Sequence, residues 1–188
     1  MHKHRLNKPS AEDVIPDYFV GDMMEDAMRF AVYMREINMP FQIHTTARQT
    51  QSAKYKGKTI CLLYVYSAAD KNFVLPSMTG SQTLIIVPYI EHLNIYENTI
   101  IKDGLHKLVL DSMYYCVWGE NSELSGKERG CNPQKGCAGG KAITRFGKSL
   151  ADVCMSRTNP FIRNPGEKEI EAIKRLLELE KQARDNLL

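Results

Sequence analysis

The chain has 188 residues, of which 43% are apolar and 25% charged, and its formal net charge is +3. This length is enough for one domain of ordinary size with its own core, so folding needs no disulfides. The nearly balanced charge lacks the one-sided basic surface of a dedicated nucleic-acid binder, and no stretch approaches the roughly 20 apolar residues of a membrane helix. We therefore expect neither nucleic acid nor a membrane among its partners.

The beginning of the chain indicates where the protein works. Residues 1–13 are rich in charged and polar side chains and contain no apolar run, which is unlike a secretory signal peptide. We therefore expect a cytoplasmic protein whose thiols are reduced.

The first predicted element is a helix over residues 23–37, where apolar side chains recur at intervals of three and four. Asp22 followed by Glu25 matches a capping box, and Asn38 and Pro40 are predicted to end the helix. The methionines on its apolar face are interpreted as core residues.

Four strand-like segments follow, and the short loops between them favour antiparallel neighbours. They cover residues 41–47, 59–66, 72–75 and 83–87. The second is apolar without a break, which is typical of a central strand covered on both faces. Its alternation predicts Cys61, Leu63 and Val65 on one face and Ile60, Leu62, Tyr64 and Tyr66 on the other. Cys61 is interpreted as a small buried apolar residue.

Helical spacing returns after residue 96, and the chain then becomes rich in glycine, with six between residues 119 and 140. The last predicted element is an amphipathic helix with Asn164 as its N-cap, Pro165 in the first position and Glu167 in the third. The simplest account is one α+β domain over residues 1–188. It contains an antiparallel sheet of about four strands, packed with an N-terminal and a C-terminal helix, and an inserted Cys/Gly-rich loop over residues 116–154.

Four of the five cysteines lie in that 39-residue loop: Cys116, Cys131, Cys137 and Cys154. Their intervals of fourteen, five and sixteen residues differ from two C-x-x-C pairs. Residues 127–148 contain six basic side chains against one acid, and nearby cations lower thiol pKa values and offset the charge of a thiolate site. We therefore expect the four cysteines to bind zinc.

Three interpretations of the cysteines remain open: a structural zinc site, free structural or incidental thiols, and an iron–sulfur cluster or regulatory disulfide. His106 is a further candidate ligand that could replace one cysteine. The preferred hypothesis is a binding or regulatory protein with a zinc-ordered loop, whose partner is a small molecule or a protein. The alternative is a redox or metal-dependent enzyme that uses the same cysteines.

Two further features bear on ligand binding. Residues 142–149 fit a permissive phosphate-binding loop, but no apolar strand precedes them and their bulky side chains are unsuited to it, so we predict no nucleotide site. Tyr64 and Tyr66 are predicted to line an aromatic concavity for a small apolar or planar molecule. The alternative is that both are ordinary strand residues.

Several short motifs resemble those of a family of uncharacterised bacterial cysteine-cluster proteins. In this chain they are residues 55–58, a Tyr-Lys-Gly-Lys turn, with Cys61 after it; residues 137–140, a C-x-P-G-like stretch with Gly139 in place of Pro; residues 146–148, Phe-Gly-Lys; Cys154; and Asn164-Pro165 before the last helix. The resemblance is strongest from residue 137 to about residue 179. It implies a cysteine site and a cytoplasmic setting, but no activity.

Overall fold

The computed structural model describes residues 9–44, 49–67, 82–115, 139–154 and 158–187. The helices are α1 (Ala11–Val14), followed by a 3-10 turn (Ile15–Asp17), α2 (Gly21–Glu36), α3 (Leu93–Lys102), α4 (His106–Asp111) and α5 (Glu167–Asn186). The strands are β1 (Gln42–Ile43), β2 (Thr50–Tyr55), β3 (Lys58–Tyr66), β4 (Thr83–Pro88), β5 (Gly140–Arg145), β6 (Lys148–Cys154) and β7 (Ile162–Arg163). Among these helices, none is both long enough and apolar enough to cross a membrane.

Five strands form one antiparallel sheet in the order β1-β2-β3-β4-β7, and β5 and β6 form a separate hairpin. The α+β fold with an antiparallel sheet and helices toward both ends is therefore confirmed. The sheet gains two strands that we did not predict, β2 and the two-residue β7. Strand β2 was missed because Gln51 and Ser52 are polar although they are buried. The predicted strand over residues 72–75 lies outside the described residues.

A tight turn and a bulge set the register between β2 and β3. Lys56 and Gly57 have φ angles of 49° and 79°, the left-handed pair typical of a two-residue hairpin turn. Ala53 pairs with Cys61 and Lys54 with Thr59, so Ile60 is the extra residue of a bulge. Because the bulge interrupts the alternation, Ile60 packs in the same core as Cys61, and its predicted position on the opposite face was wrong.

The main core lies between one face of the sheet and helices α2 and α5. Leu63 and Val65 contribute to this core from β3, whereas Leu62 and Tyr66 belong to a cluster with Ile85 and Val87 of β4. The predicted division of β3 between two faces therefore holds from residue 61 onward. Cys61 is fully buried in the main core, as predicted.

The predicted ends of both long helices need correction. Helix α2 begins at Gly21 after Val20, which makes no side-chain cap, so the capping box at Asp22 was wrong. Helix α5 begins at Glu167 with Gly166 as its N-cap. The Asn164 side chain instead accepts a hydrogen bond from the Leu84 backbone N–H at 2.9 Å. Asn164 therefore contacts strand β4 and does not cap the helix.

A second core supports the β5–β6 hairpin on α3, α4 and α5. The hairpin turns at Phe146 and Gly147, whose φ angles are 52° and 70°, and the Phe146 N–H donates to Glu97 Oε1 at 2.6 Å. Residues 142–149 therefore form two antiparallel strands and a tight turn. A phosphate-binding loop leads into a helix instead, so this segment does not have the backbone geometry of that motif.

Candidate functional site

Cys154 is the predicted zinc ligand that the structure describes. It ends β6, is 2% exposed and packs beside Tyr114. Its backbone N–H donates to the Tyr114 carbonyl at 2.8 Å. Cys116, Cys131 and Cys137 lie outside the described residues.

Tyr115 and Gly140, which lie one and three positions from two of those cysteines, pair with the last two residues of β6. Tyr115, which precedes Cys116, forms an antiparallel bridge with Val153. On the other side, Gly140, which lies three positions after Cys137, pairs directly with Cys154. The chain thus approaches Cys154 from both flanks, at what we call the cysteine end of the hairpin.

The other thiol and the candidate histidine lie elsewhere. Burial raises the pKa of the Cys61 thiol, and its Sγ lies 3.6 Å from the Leu62 carbonyl oxygen, so Cys61 is a neutral core residue. His106 packs against Phe146, with 6.1 Å between ring centroids. Phe146 is in the turn, at the opposite end of the hairpin from Cys154, so the fold separates His106 from the cysteine end.

The two tyrosines proposed to line a concavity are neighbours on one face of β3. Their rings stack at a centroid distance of 6.2 Å, with Tyr66 buried and Tyr64 half-buried. Both belong to the apolar cluster formed with β4. Neither lines the two cavities described next.

The larger of these cavities, about 460 Å³, lies between α4 and β7. Its charged lining consists of the exposed side chains of Asp111, Arg163 and Glu169, which have mixed signs. The second cavity, about 340 Å³, lies where the β2–β3 turn, the start of α3 and the end of α5 meet. We call it the basic cavity, and it is lined by Tyr55, Lys56, Lys58, His92, Arg184 and Leu187.

A buried carboxylate lies beneath the basic cavity. Glu180 is fully buried, and each of its oxygens accepts two hydrogen bonds. Oε1 accepts from Arg184 Nε at 2.8 Å and from His92 Nδ1 at 2.7 Å. Oε2 accepts from the Tyr96 hydroxyl at 2.6 Å and from the His92 backbone N–H at 3.1 Å. We call Glu180, Arg184, His92 and Tyr96 the Glu180 centre.

These contacts keep Glu180 ionised and Tyr96 neutral. Burial acts to raise the pKa of the Glu180 carboxyl, but the hydrogen bonds from Tyr96, Arg184 and His92 outweigh it, so the pKa is lowered. Burial, followed by the hydrogen bond to Glu180, raises the pKa of Tyr96. Because an ionised carboxylate only accepts hydrogen bonds, His92 Nδ1 carries the hydrogen that points to Glu180.

Arg184 connects the Glu180 centre to the basic cavity. Its side chain is 5% exposed, and Nη2 contacts the Thr59 carbonyl at 3.2 Å and Glu91 Oε2 at 3.4 Å. Its other terminal nitrogen, Nη1, is buried and has no hydrogen-bond partner among the described residues. A buried donor without a partner costs about 1–3 kcal/mol.

Glu91, His92 and Glu180 also present ligand atoms within 4.8 Å of one another, a spacing compatible with a metal ion. Both Glu180 oxygens already accept two hydrogen bonds each, so its lone pairs are occupied. The Arg184 guanidinium also lies against Glu180 and Glu91 and supplies the positive charge that a metal would bring. The arrangement therefore does not fit a metal ion.

Sequence reasoning missed the Glu180 centre, although α5 carried a signal for it. Positions 180 and 184 fall on the same helical face as Ile173, Leu176 and Leu177, where charged residues are expected only when they are paired. An acid and a base four residues apart on an apolar face thus indicate a buried ion pair. Nothing comparable marks His92 or Tyr96, more than 80 residues away in the chain.

No family model, curated protein or solved structure matches this chain. The resemblance to bacterial cysteine-cluster proteins therefore stays an expectation from the motifs alone.

Proposed function

We propose that the protein is a binding or regulatory protein whose Cys-rich segment is ordered by a structural zinc ion held by Cys116, Cys131, Cys137 and Cys154. The observation that carries the proposal is the convergence at the cysteine end, where Tyr115 and Gly140 flank the strand that ends at Cys154. One peptide unit separates Cys116 from Tyr115, and three separate Cys137 from Gly140. Chain geometry thus allows both thiols to reach Cys154.

The chemistry of the segment also favours zinc. Four thiolates around one divalent ion carry two net negative charges. Lys141, which pairs with Val153, is a cation close to the cysteine end, whereas Arg145 and Lys148 lie at the turn of the hairpin. The glycines before β5 let the backbone turn closely around an ion. The proposal includes a cytoplasmic setting, because thiolate sites of this kind persist where cysteines are kept reduced.

Metal analysis of protein purified without a histidine tag tests the proposal. We expect about one zinc ion per chain in the wild type, and loss of that zinc in Cys154→Ser and Cys137→Ser. Cys61→Ala is the matched control, because Cys61 lies in the main core and should leave the zinc content unchanged.

Two outcomes would overturn the zinc site. One is protein that contains no metal as isolated and whose four thiols of the segment all react with a thiol reagent once the chain is unfolded in denaturant. The other is a brown protein with visible absorption that contains iron and inorganic sulfide, which would favour the redox alternative.

A further inference from the structure

The basic cavity has the composition of an anion site. Its charged lining residues are Lys56, Lys58 and Arg184, all of them basic. The remaining lining residues offer a phenol ring from Tyr55, an imidazole from His92 and an exposed aliphatic side chain from Leu187. Its volume of about 340 Å³ lies within the range of small-molecule sites.

Nearby acids neutralise most of this positive charge, and one positive charge remains. Arg184 pairs with Glu180 at 2.8 Å and contacts Glu91 at 3.4 Å. Asp185 pairs with Lys56 at 2.8 Å and with Lys181 at 2.9 Å. These groups comprise three acids and three bases.

Lys58 is the additional base, and in the part of the chain that the structure describes it has no ion-pair partner. The cavity thus has one positive charge in excess, which matches one bound anion. The dipole of α5 opposes an anion at its C-terminal end, whereas the N-terminal end of α3, beside His92, favours one.

Arg184 gives the cavity an acceptor requirement as well as a charge. The Glu180 centre holds its guanidinium in place, so a ligand would not have to order a flexible side chain. Its Nη1 is buried and has no hydrogen-bond partner among the described residues. A fixed guanidinium with one unpartnered nitrogen is well suited to an oxyanion, because a hydrogen bond between two charged groups is stronger than one between neutral groups.

We propose that the basic cavity binds a small organic molecule through one oxyanion group, a phosphate or a carboxylate. Arg184 and Lys58 contact the oxyanion, and Tyr55 and Leu187 pack against the apolar body of the molecule. A single excess charge does not suit a polyanion such as a nucleic acid backbone. The proposal is independent of zinc at the cysteine end, because none of the lining residues lies on the β5–β6 hairpin.

Calorimetric titration of the untagged full chain at low ionic strength tests this site. The probes are phenyl phosphate, benzoate and inorganic phosphate, with phenol as the neutral control. We expect phenyl phosphate and benzoate to bind saturably, with about one molecule per chain. Their affinity should exceed that of inorganic phosphate because of the apolar contacts, and phenol should not bind. The tighter of the two aromatic anions identifies the preferred group. Binding should weaken as salt is added.

Charge reversal at Lys58 provides the decisive comparison. Lys58→Glu should weaken binding about tenfold or more, because it replaces the unpaired cation by an anion. Lys148→Glu is the matched control, since both lysines are exposed and follow the glycine of a two-residue hairpin turn. It should bind like the wild type.

The milder Lys58→Ala, with the fold checked by circular dichroism, should also weaken binding while Lys148→Ala does not. The proposal is overturned if no anion binds saturably, if phenol binds as tightly as the anions, or if Lys58 and Lys148 variants lose binding equally.

Discussion

Replacement of Glu180 by glutamine should cost about 3–5 kcal/mol of unfolding free energy, because it leaves the buried Arg184 guanidinium without its counter-charge. Glu180 is fully buried and Arg184 is 5% exposed, so water cannot take over the lost interaction. The amide also fits poorly among four donors. Its NH₂ group must face either Arg184 and the His92 ring or Tyr96 and the His92 backbone.

Urea denaturation followed by circular dichroism measures this loss, and thermal unfolding should show a decrease of about 6–20 °C. Glu178→Gln is the matched control on the same helix. Glu178 is 49% exposed and lies 3.5 Å from Arg175, so its loss should cost about 1 kcal/mol or less. Equal losses in the two variants would refute the argument. The pair Glu180→Leu with Arg184→Met should be more stable than Glu180→Leu alone, because no buried charge remains.

Three further predictions concern the same framework. The folded pKa of Glu180 lies below its unfolded value of 4.5, so its stabilisation is complete above that pH and is lost as the pH falls; the stability difference between wild type and Glu180→Gln should therefore shrink below pH 4.5. A constant difference down to strongly acidic pH would contradict this. Tyr96→Phe removes a hydrogen bond to the same carboxylate and should cost about 1.5–3 kcal/mol in urea denaturation, whereas no loss would mean that the hydroxyl is dispensable. Gly57→Ala should cost about 1–2 kcal/mol of unfolding free energy from backbone strain alone, because φ is +79° and an added Cβ meets nothing within 4 Å. Thermal unfolding should show a smaller loss for Gly57→Asn, because asparagine tolerates this backbone conformation better than alanine. Equal losses in the two variants would count against strain as the cause.

The elements that the sequence predicted well are those with a strong local pattern. Helix α5 has apolar residues at helical spacing over 20 residues, and β3 is a continuous apolar run. In both elements the local sequence pattern alone indicates which residues are buried. Strand β2 has no such pattern, because Gln51 and Ser52 are buried in the sheet although their side chains are polar. Strand β2 forms because it pairs with β3, and this pairing cannot be recognised from the local amino-acid composition.

The candidate sites differ in the same way. Cysteine clustering is visible in the chain and predicted the cysteine end. The basic cavity combines Lys58 from β3, His92 before α3 and Arg184 from α5, so its composition appears only after folding. The one sequence signal for this region is the spacing of Glu180 and Arg184 on the apolar face of α5, which indicates a buried ion pair.

The most direct test of the central claim is X-ray absorption at the zinc edge of protein purified without a tag. Four thiolates predict a first shell of four sulfur atoms at about 2.3 Å. A first shell of nitrogen or oxygen atoms at about 2.0–2.1 Å would contradict the cysteine site and assign the zinc to other residues.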